Sequence, residues 1–105
     1  MFQPKPPLSA PNKLYSAKKM AKPVNFVCLA PGAKQVSVIG EFNQWSPQAN
    51  PMRRQPDGAW LAQVQMNHGH HQYQFLVDGQ PALDPRAQGK SRHPEKGSVS
   101  IIAVS

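Results

Sequence analysis

Apolar and polar residues alternate along three stretches of this chain. Val36 and Val38 flank Ser37 until Gly40 breaks the run; Trp60, Ala62, Val64 and Met66 alternate with Leu61, Gln63 and Gln65; Tyr73, Phe75 and Val77 alternate with Gln72, Gln74 and Leu76. A period of two places each set on one face of an extended strand, which predicts half-buried antiparallel strands over residues 35–40, 60–66 and 71–77. The apolar run at residues 24–30, closed by Pro31-Gly32, adds another strand, and Val99, Ile101, Ile102 and Val104 mark a last one over residues 98–104. Asp78-Gly79 is a hairpin dipeptide that leads to a short edge strand at residues 81–84. Asn67 to His70 predicts a connection that folds strands 60–66 and 71–77 into a hairpin. Residues 41–56, interrupted by prolines, and residues 85–96, rich in polar side chains, read as loops. Short strands punctuated by Gly, Pro and Asp turns, with no long helical periodicity, describe an all-β antiparallel sandwich.

The motifs between and within these strands sharpen the reading. The run Val38-Ile39-Gly40-Glu41-Phe42-Asn43-Gln44-Trp45 is followed by Pro51-Met52-Arg53-Arg54, by Asp57-Gly58-Ala59-Trp60 and by His71-Gln72-Tyr73-Gln74-Phe75-Leu76-Val77-Asp78-Gly79. In this order, over residues 24–104, they resemble the family 48 carbohydrate-binding modules. Those are the early-set, immunoglobulin-like domains of glycogen-branching and debranching enzymes and of the AMP-activated protein kinase β-subunit. The resemblance implies an immunoglobulin-like sandwich and a non-catalytic module for α-glucan such as glycogen or starch.

Composition and charge fix the organisation. With 105 residues, 12 prolines and 39% hydrophobic residues, the chain suits one loop-rich domain with one modest core. Of the net charge of +7, residues 1–22 carry five lysines and no acid, while residues 23–105 hold seven basic against five acidic residues. The expectation is a disordered Lys/Pro-rich tail over residues 1–22 and a nearly balanced domain over residues 23–105. A basic tail without the aromatic pattern of an RNA-reading sheet makes nucleic acid an unfavoured partner. Cys28, alone, forms no internal disulfide and fits a small buried thiol in a reducing compartment. Neither a membrane-length apolar run nor the apolar core of a secretory signal is visible, which points to the cytoplasm.

Among the candidate sites, the clustered His68, His70 and His71 lack a Cys or carboxylate to complete a tetrahedral metal shell, so neither metal nor cofactor is expected. The acids offer no pair for glycosidic chemistry, because Asp57 and Asp78 each precede a Gly in a turn. Trp60, on a strand with inward alternation, is expected in the core. Trp45 instead stands in a polar loop beside Asn43, where a large aromatic has no periodic apolar partners. By resemblance, Trp45 matches the loop tryptophan that stacks on α-glucan in the kinase-subunit members. Other positions depart from that pattern: Pro81 stands where a second tryptophan would be, Gln74 where a lysine would be, and Gly97-Ser98-Val99-Ser100 replaces Gly-Thr-x-Asn. Asn43, Gln74, Ser98 and Ser100 are candidate hydrogen-bonding partners for sugar hydroxyls. The spacing of residues 51–60 is closer to the modules of branching and isoamylase-type enzymes, which pack on a catalytic barrel. The alternative reading is therefore a protein-interaction or regulatory module with a decayed sugar site, whose partner is a glycan-metabolising enzyme or a kinase.

Overall fold

The computed structural model describes residues 21–105 and resolves the alternating pattern into eight strands. They are β1 (Lys22–Leu29), β2 (Val36–Gly40), β3 (Arg53–Arg54), β4 (Ala59–Met66), β5 (Gly69–Val77), β6 (Gln80–Ala82), β7 (Gly89–His93) and β8 (Gly97–Val104), with a 3₁₀ turn over Glu41–Asn43. A three-stranded sheet has the order β1-β4-β3, and a five-stranded sheet runs β2-β5-β8-β7 with β6 also paired to β5. Every pairing is antiparallel. The all-β sandwich expected from the sequence is the fold observed.

The alternation explains which face each strand buries. Phe26 and Cys28 of β1 and Trp60, Ala62, Val64 and Met66 of β4 meet Val36, Val38, Tyr73, Phe75 and Val104 of the other sheet in one core. Each such large apolar side chain contributes about 1.5 to 3 kcal/mol on leaving water. An aromatic contact stitches the layers together, the Phe26 and Tyr73 rings meeting edge to face at 5.0 Å, and along β5 Tyr73 meets Phe75 at 5.9 Å. Trp60 is 6% exposed, and its indole N–H donates to the Ala30 carbonyl at 2.9 Å, so this buried donor is paired.

Asp78-Gly79 forms the two-residue turn read from the sequence: Val77 pairs with Gln80, and φ is 48° at Asp78 and 83° at Gly79. The Asp78 carboxylate also accepts the N–H groups of Lys34 and Gln35 at 2.8 and 2.9 Å, tying the β1–β2 connection to this turn. Those hydrogen bonds hold its carboxyl below the ordinary carboxylate range.

Two features differ from the sequence reading. β4 and β5 do not form a hairpin, because β4 belongs to the three-stranded sheet and β5 to the five-stranded one. Only Asn67 and His68 separate them, and Gly69, at φ 127°, opens the strand in the opposite sheet. The inward sets of both strands thus face each other across the core instead of lying side by side. Residues 85–96 are not merely a loop, since β7 (Gly-Lys-Ser-Arg-His) pairs along β8 through backbone bonds that need no apolar alternation. The expectation of a disordered tail falls, for residues 1–20, outside the described residues, whereas Lys22 opens β1 opposite Met66.

Candidate functional site

β2 delivers the chain into the loop that carries Trp45. Its last residue, Gly40, approaches its neighbours closely: a Cβ there would meet the Phe42 ring at 2.5 Å and the Gln72 carbonyl oxygen at 2.6 Å. The 3₁₀ turn that follows is held by Asn43, which is 8% exposed. Its Oδ1 accepts the Gly40 N–H at 3.0 Å, while its Nδ2 donates to the Val38 carbonyl at 3.0 Å and to Asn50 Oδ1 at 2.7 Å. Asn43 is thereby committed to shaping the loop. Trp45 emerges from it with φ 58°, after Gln44 at φ 55°, and its N–H closes back on the Gly40 carbonyl at 2.9 Å. Two successive non-glycine residues in the left-handed region are strained, and such strain persists where surrounding bonds over-determine it.

The Trp45 indole is half-buried and has two neighbours from the β7–β8 turn. The His93 ring meets it edge to face at 5.1 Å, and Lys96 Nζ stands 5.5 Å from its ring centroid. An ammonium within about 6 Å of an indole face is attracted by the ring quadrupole. The turn itself is organised by His93, whose Nδ1 accepts the N–H groups of both Glu95 and Lys96 at 3.1 Å.

Gln74 reaches the same turn from below. Tyr73 and Phe75 face the core, so Gln74 lies on the outward side of β5, beside Ile39 of β2. It is nevertheless 3% exposed, and its Nε2 donates to the carbonyls of Lys96 at 3.0 Å and Ser98 at 2.9 Å. Of the residues expected from the sequence to contact sugar, Gln74 thus reaches the turn whose Lys96 lies by Trp45, Asn43 holds the loop from which Trp45 emerges, and Ser98 meets Gln74 through its backbone carbonyl alone. Ser98 is exposed, and its carbonyl serves Gln74. Ser100 is placed elsewhere. It pairs with the inward Tyr73, is fully enclosed, and its hydroxyl accepts the Asp84 N–H at 2.9 Å. The alternation of β8 puts it on the core side of the sheet, away from Trp45. His93 and Lys96 were not legible as site residues, because their link to Trp45 depends on β7, whose polar sequence hid it.

Besides Asp78, three further carboxylates have structural partners. Glu41 accepts the Gln72 N–H at 3.2 Å, Asp57 the Ala59 N–H at 3.0 Å, and Asp84 the Tyr73 hydroxyl at 2.7 Å together with the Arg86 N–H at 2.9 Å. Burial, followed by the hydrogen bond to Asp84, pushes the Tyr73 phenol far above its ordinary range. Burial also raises the Cys28 thiol, with the charge of Asp84 adding to the effect, so the thiolate needed for nucleophilic chemistry is disfavoured. Among the described residues no cluster of three or more His, Cys, Asp or Glu is placed to hold a metal ion, and no helix is long and apolar enough to cross a membrane.

The family model for the glycogen recognition site of AMP-activated protein kinase matches residues 23–104, the whole span from the second residue of β1 to the end of β8. The chain belongs to this family. It is also similar to the 1,4-alpha-glucan branching enzyme GlgB of Bradyrhizobium sp. (strain ORS 278), with 32% identity over 84 residues that make up 74% of this chain and 12% of the enzyme. Its similarity to GlgB 2 of Xanthomonas campestris pv. campestris (strain 8004) is 35% over 85 residues, 76% of this chain and 12% of that enzyme. GlgB of Rhodopseudomonas palustris (strain ATCC BAA-98 / CGA009) shares 33% over 88 residues, again 12% of its length. This member of the glycogen recognition family thus spans about an eighth of the enzymes it resembles, as their 12% coverage shows.

Proposed function

We propose that this domain is a non-catalytic α-glucan-binding module whose sugar platform is Trp45. The observation that carries the reading is the placement of the indole: outside the core, on a strained loop that Asn43 staples, with the Lys96 ammonium over its ring and the His93 ring edge to face with it. The apolar C–H face of a glucose ring packs flat against an indole, and polar groups at the ring's edge fix the hydroxyls. Membership of the glycogen recognition family supports glycogen or starch as the ligand, and the occupied carboxylates support a binding role without chemistry. With one tryptophan at this place and Pro81 where kinase-subunit members have another, binding is weak. A missing stacking platform costs about 1 to 3 kcal/mol by analogy with base stacking, or roughly tenfold or more in affinity.

Electrophoresis through gels with and without glycogen tests the reading. The unmodified domain is retarded by glycogen; Trp45→Ala abolishes the retardation while leaving the melting temperature nearly unchanged. Equal mobility of both proteins in both gels sinks it.

A second reading rests on a different surface. Leu29 is 65% exposed and lines, with Leu83, Ala30, Val77 and Pro85, an apolar groove of about 380 Å³ beside the edge of β1. Exposed apolar surface of this kind suits contact with another protein, and a glycan-metabolising enzyme or a kinase would be its partner if the sugar site has decayed.

A further inference from the structure

We propose that His93 is the positioning residue of the Trp45 platform and that Lys96 supplies the ammonium that binds sugar hydroxyls at it, so that the polar half of the site comes from the β7–β8 turn. The inference rests on the reading of Trp45 as the sugar platform and adds the residues that complete it.

Gln74 has no side-chain donor to spare for a ligand. A primary amide has two N–H donors, and both positions on Gln74 are taken by the carbonyls of Lys96 and Ser98 in an enclosed setting. No donor remains on its nitrogen for a ligand. What Gln74 accomplishes is to hold the carbonyl side of the turn from beneath the sheet surface. His93 holds the amide side: one ring nitrogen, Nδ1, gathers the N–H groups of Glu95 and Lys96. An Nδ1 that accepts two hydrogen bonds leaves the ring proton on Nε2. Lys96 is therefore fixed through both its backbone N–H and its carbonyl, by two side chains from two different strands.

That double fixation sets where the Lys96 side chain leaves the backbone. Its Nζ lies 5.5 Å from the Trp45 centroid, and the His93 ring that organises the turn is also the ring that abuts the indole at 5.1 Å. One side chain thus touches the platform and fixes the backbone that carries the charge. An ammonium offers three donors and no acceptor, so it matches hydroxyl oxygens of a sugar lying on the indole. Hydrogen bonds from a charged donor are stronger than neutral ones.

Three substitutions separate the roles. Lys96→Met keeps an unbranched apolar stem and removes the charge; His93→Ala removes both the acceptor and the ring; His93→Asn restores an acceptor that can bond the N–H groups two and three residues on, as an Asx turn does. Glycogen gels give affinity, and acrylamide quenching of the fluorescence that Trp45→Phe removes reports the indole's exposure without sugar. The expected result is roughly tenfold weaker retardation for Lys96→Met and His93→Ala. Trp45 quenching increases in His93→Ala, and His93→Asn recovers most of the lost affinity. If His93→Ala and Lys96→Met bind glycogen as tightly as the parent while Trp45→Ala does not bind, the platform stands and the present assignment is overturned. Unchanged quenching of Trp45 in His93→Ala overturns the positioning role whatever the sugar result. Should His93→Ala fail to fold, Lys96→Met and His93→Asn decide in the same terms. Loss of glycogen binding by none of the variants, Trp45→Ala included, removes the platform reading itself and this assignment with it.

Discussion

Gln74 donates its side-chain amide to the carbonyl of Lys96 at 3.0 Å, joining the middle of β5 to the turn that borders Trp45. A residue that looks from the sequence like an outward polar position on a strand is in fact 3% exposed, spent on two backbone carbonyls. Gln74→Leu preserves bulk and deletes both donors. A net hydrogen bond is worth about 0.5 to 1.5 kcal/mol, and carbonyls left unpaired add to the loss, so a destabilisation of about 1 to 3 kcal/mol is expected. For a domain of this size each kcal/mol lowers the melting temperature by about 4 to 8 °C. Scanning calorimetry checks the value, and glycogen retardation should weaken in parallel because Lys96 loses its anchor.

Trp60 and Trp45 should respond in opposite ways to truncation. Trp60→Ala opens a large cavity in the core and strands the Ala30 carbonyl, for which about 3 to 5 kcal/mol is typical. Urea denaturation should show that loss for Trp60→Ala and little change for Trp45→Ala.

Tyr73 couples stability to alkaline pH. Its phenol is raised in the folded state, so the stability it confers is complete below the unfolded tyrosine value of about 10 and is lost as pH rises beyond it. Tyr73→Phe removes that ionisation at the cost of leaving Asp84 Oδ2 without its partner. Unfolding curves from pH 8 to 11 should fall more steeply for the parent than for Tyr73→Phe.

Pro81 offers a gain-of-function test. Leu76 pairs with Pro81, and Leu76 shares the outward parity of Gln74, so a side chain at position 81 projects from the face that Trp45 borders. Pro81→Trp should tighten glycogen binding by roughly tenfold or more, since two stacked rings engage one glucan chain together. Isothermal titration with a maltooligosaccharide measures the gain; no change would show that position 81 lies too far from the indole to share a ligand.

What the sequence revealed follows from the forces each element uses. β4 and β5 were legible because burial imposes alternation, and the Asp78-Gly79 turn because its two positive φ values favour those residues. The partners of a strand were not legible in the same way. Alternation states that β4 and β5 each bury one face, but a connector as short as Asn67-His68 serves a hairpin or a crossing between sheets equally, and only packing decides. β7 was hidden because an edge strand such as Gly-Lys-Ser-Arg-His is held by backbone bonds alone. The site shows the same division. Trp45 stood out as an aromatic without apolar companions, whereas an amide or hydroxyl gives no sign of whether it faces solvent or backbone. Asn43, Gln74 and Ser100 each have polar atoms bonded within the protein, and His93 and Lys96 join the site only once β7 and β8 are paired.

The most direct test of the central claim follows the two indole N–H resonances in ¹⁵N-correlated NMR spectra while maltoheptaose is added. The Trp60 indole N–H is hydrogen-bonded to the Ala30 carbonyl within the core, so its resonance should stay in place. The Trp45 resonance should shift progressively to saturation, together with the backbone amides of Glu95 and Lys96. A Trp45 resonance that does not move at any concentration of maltoheptaose would contradict the account.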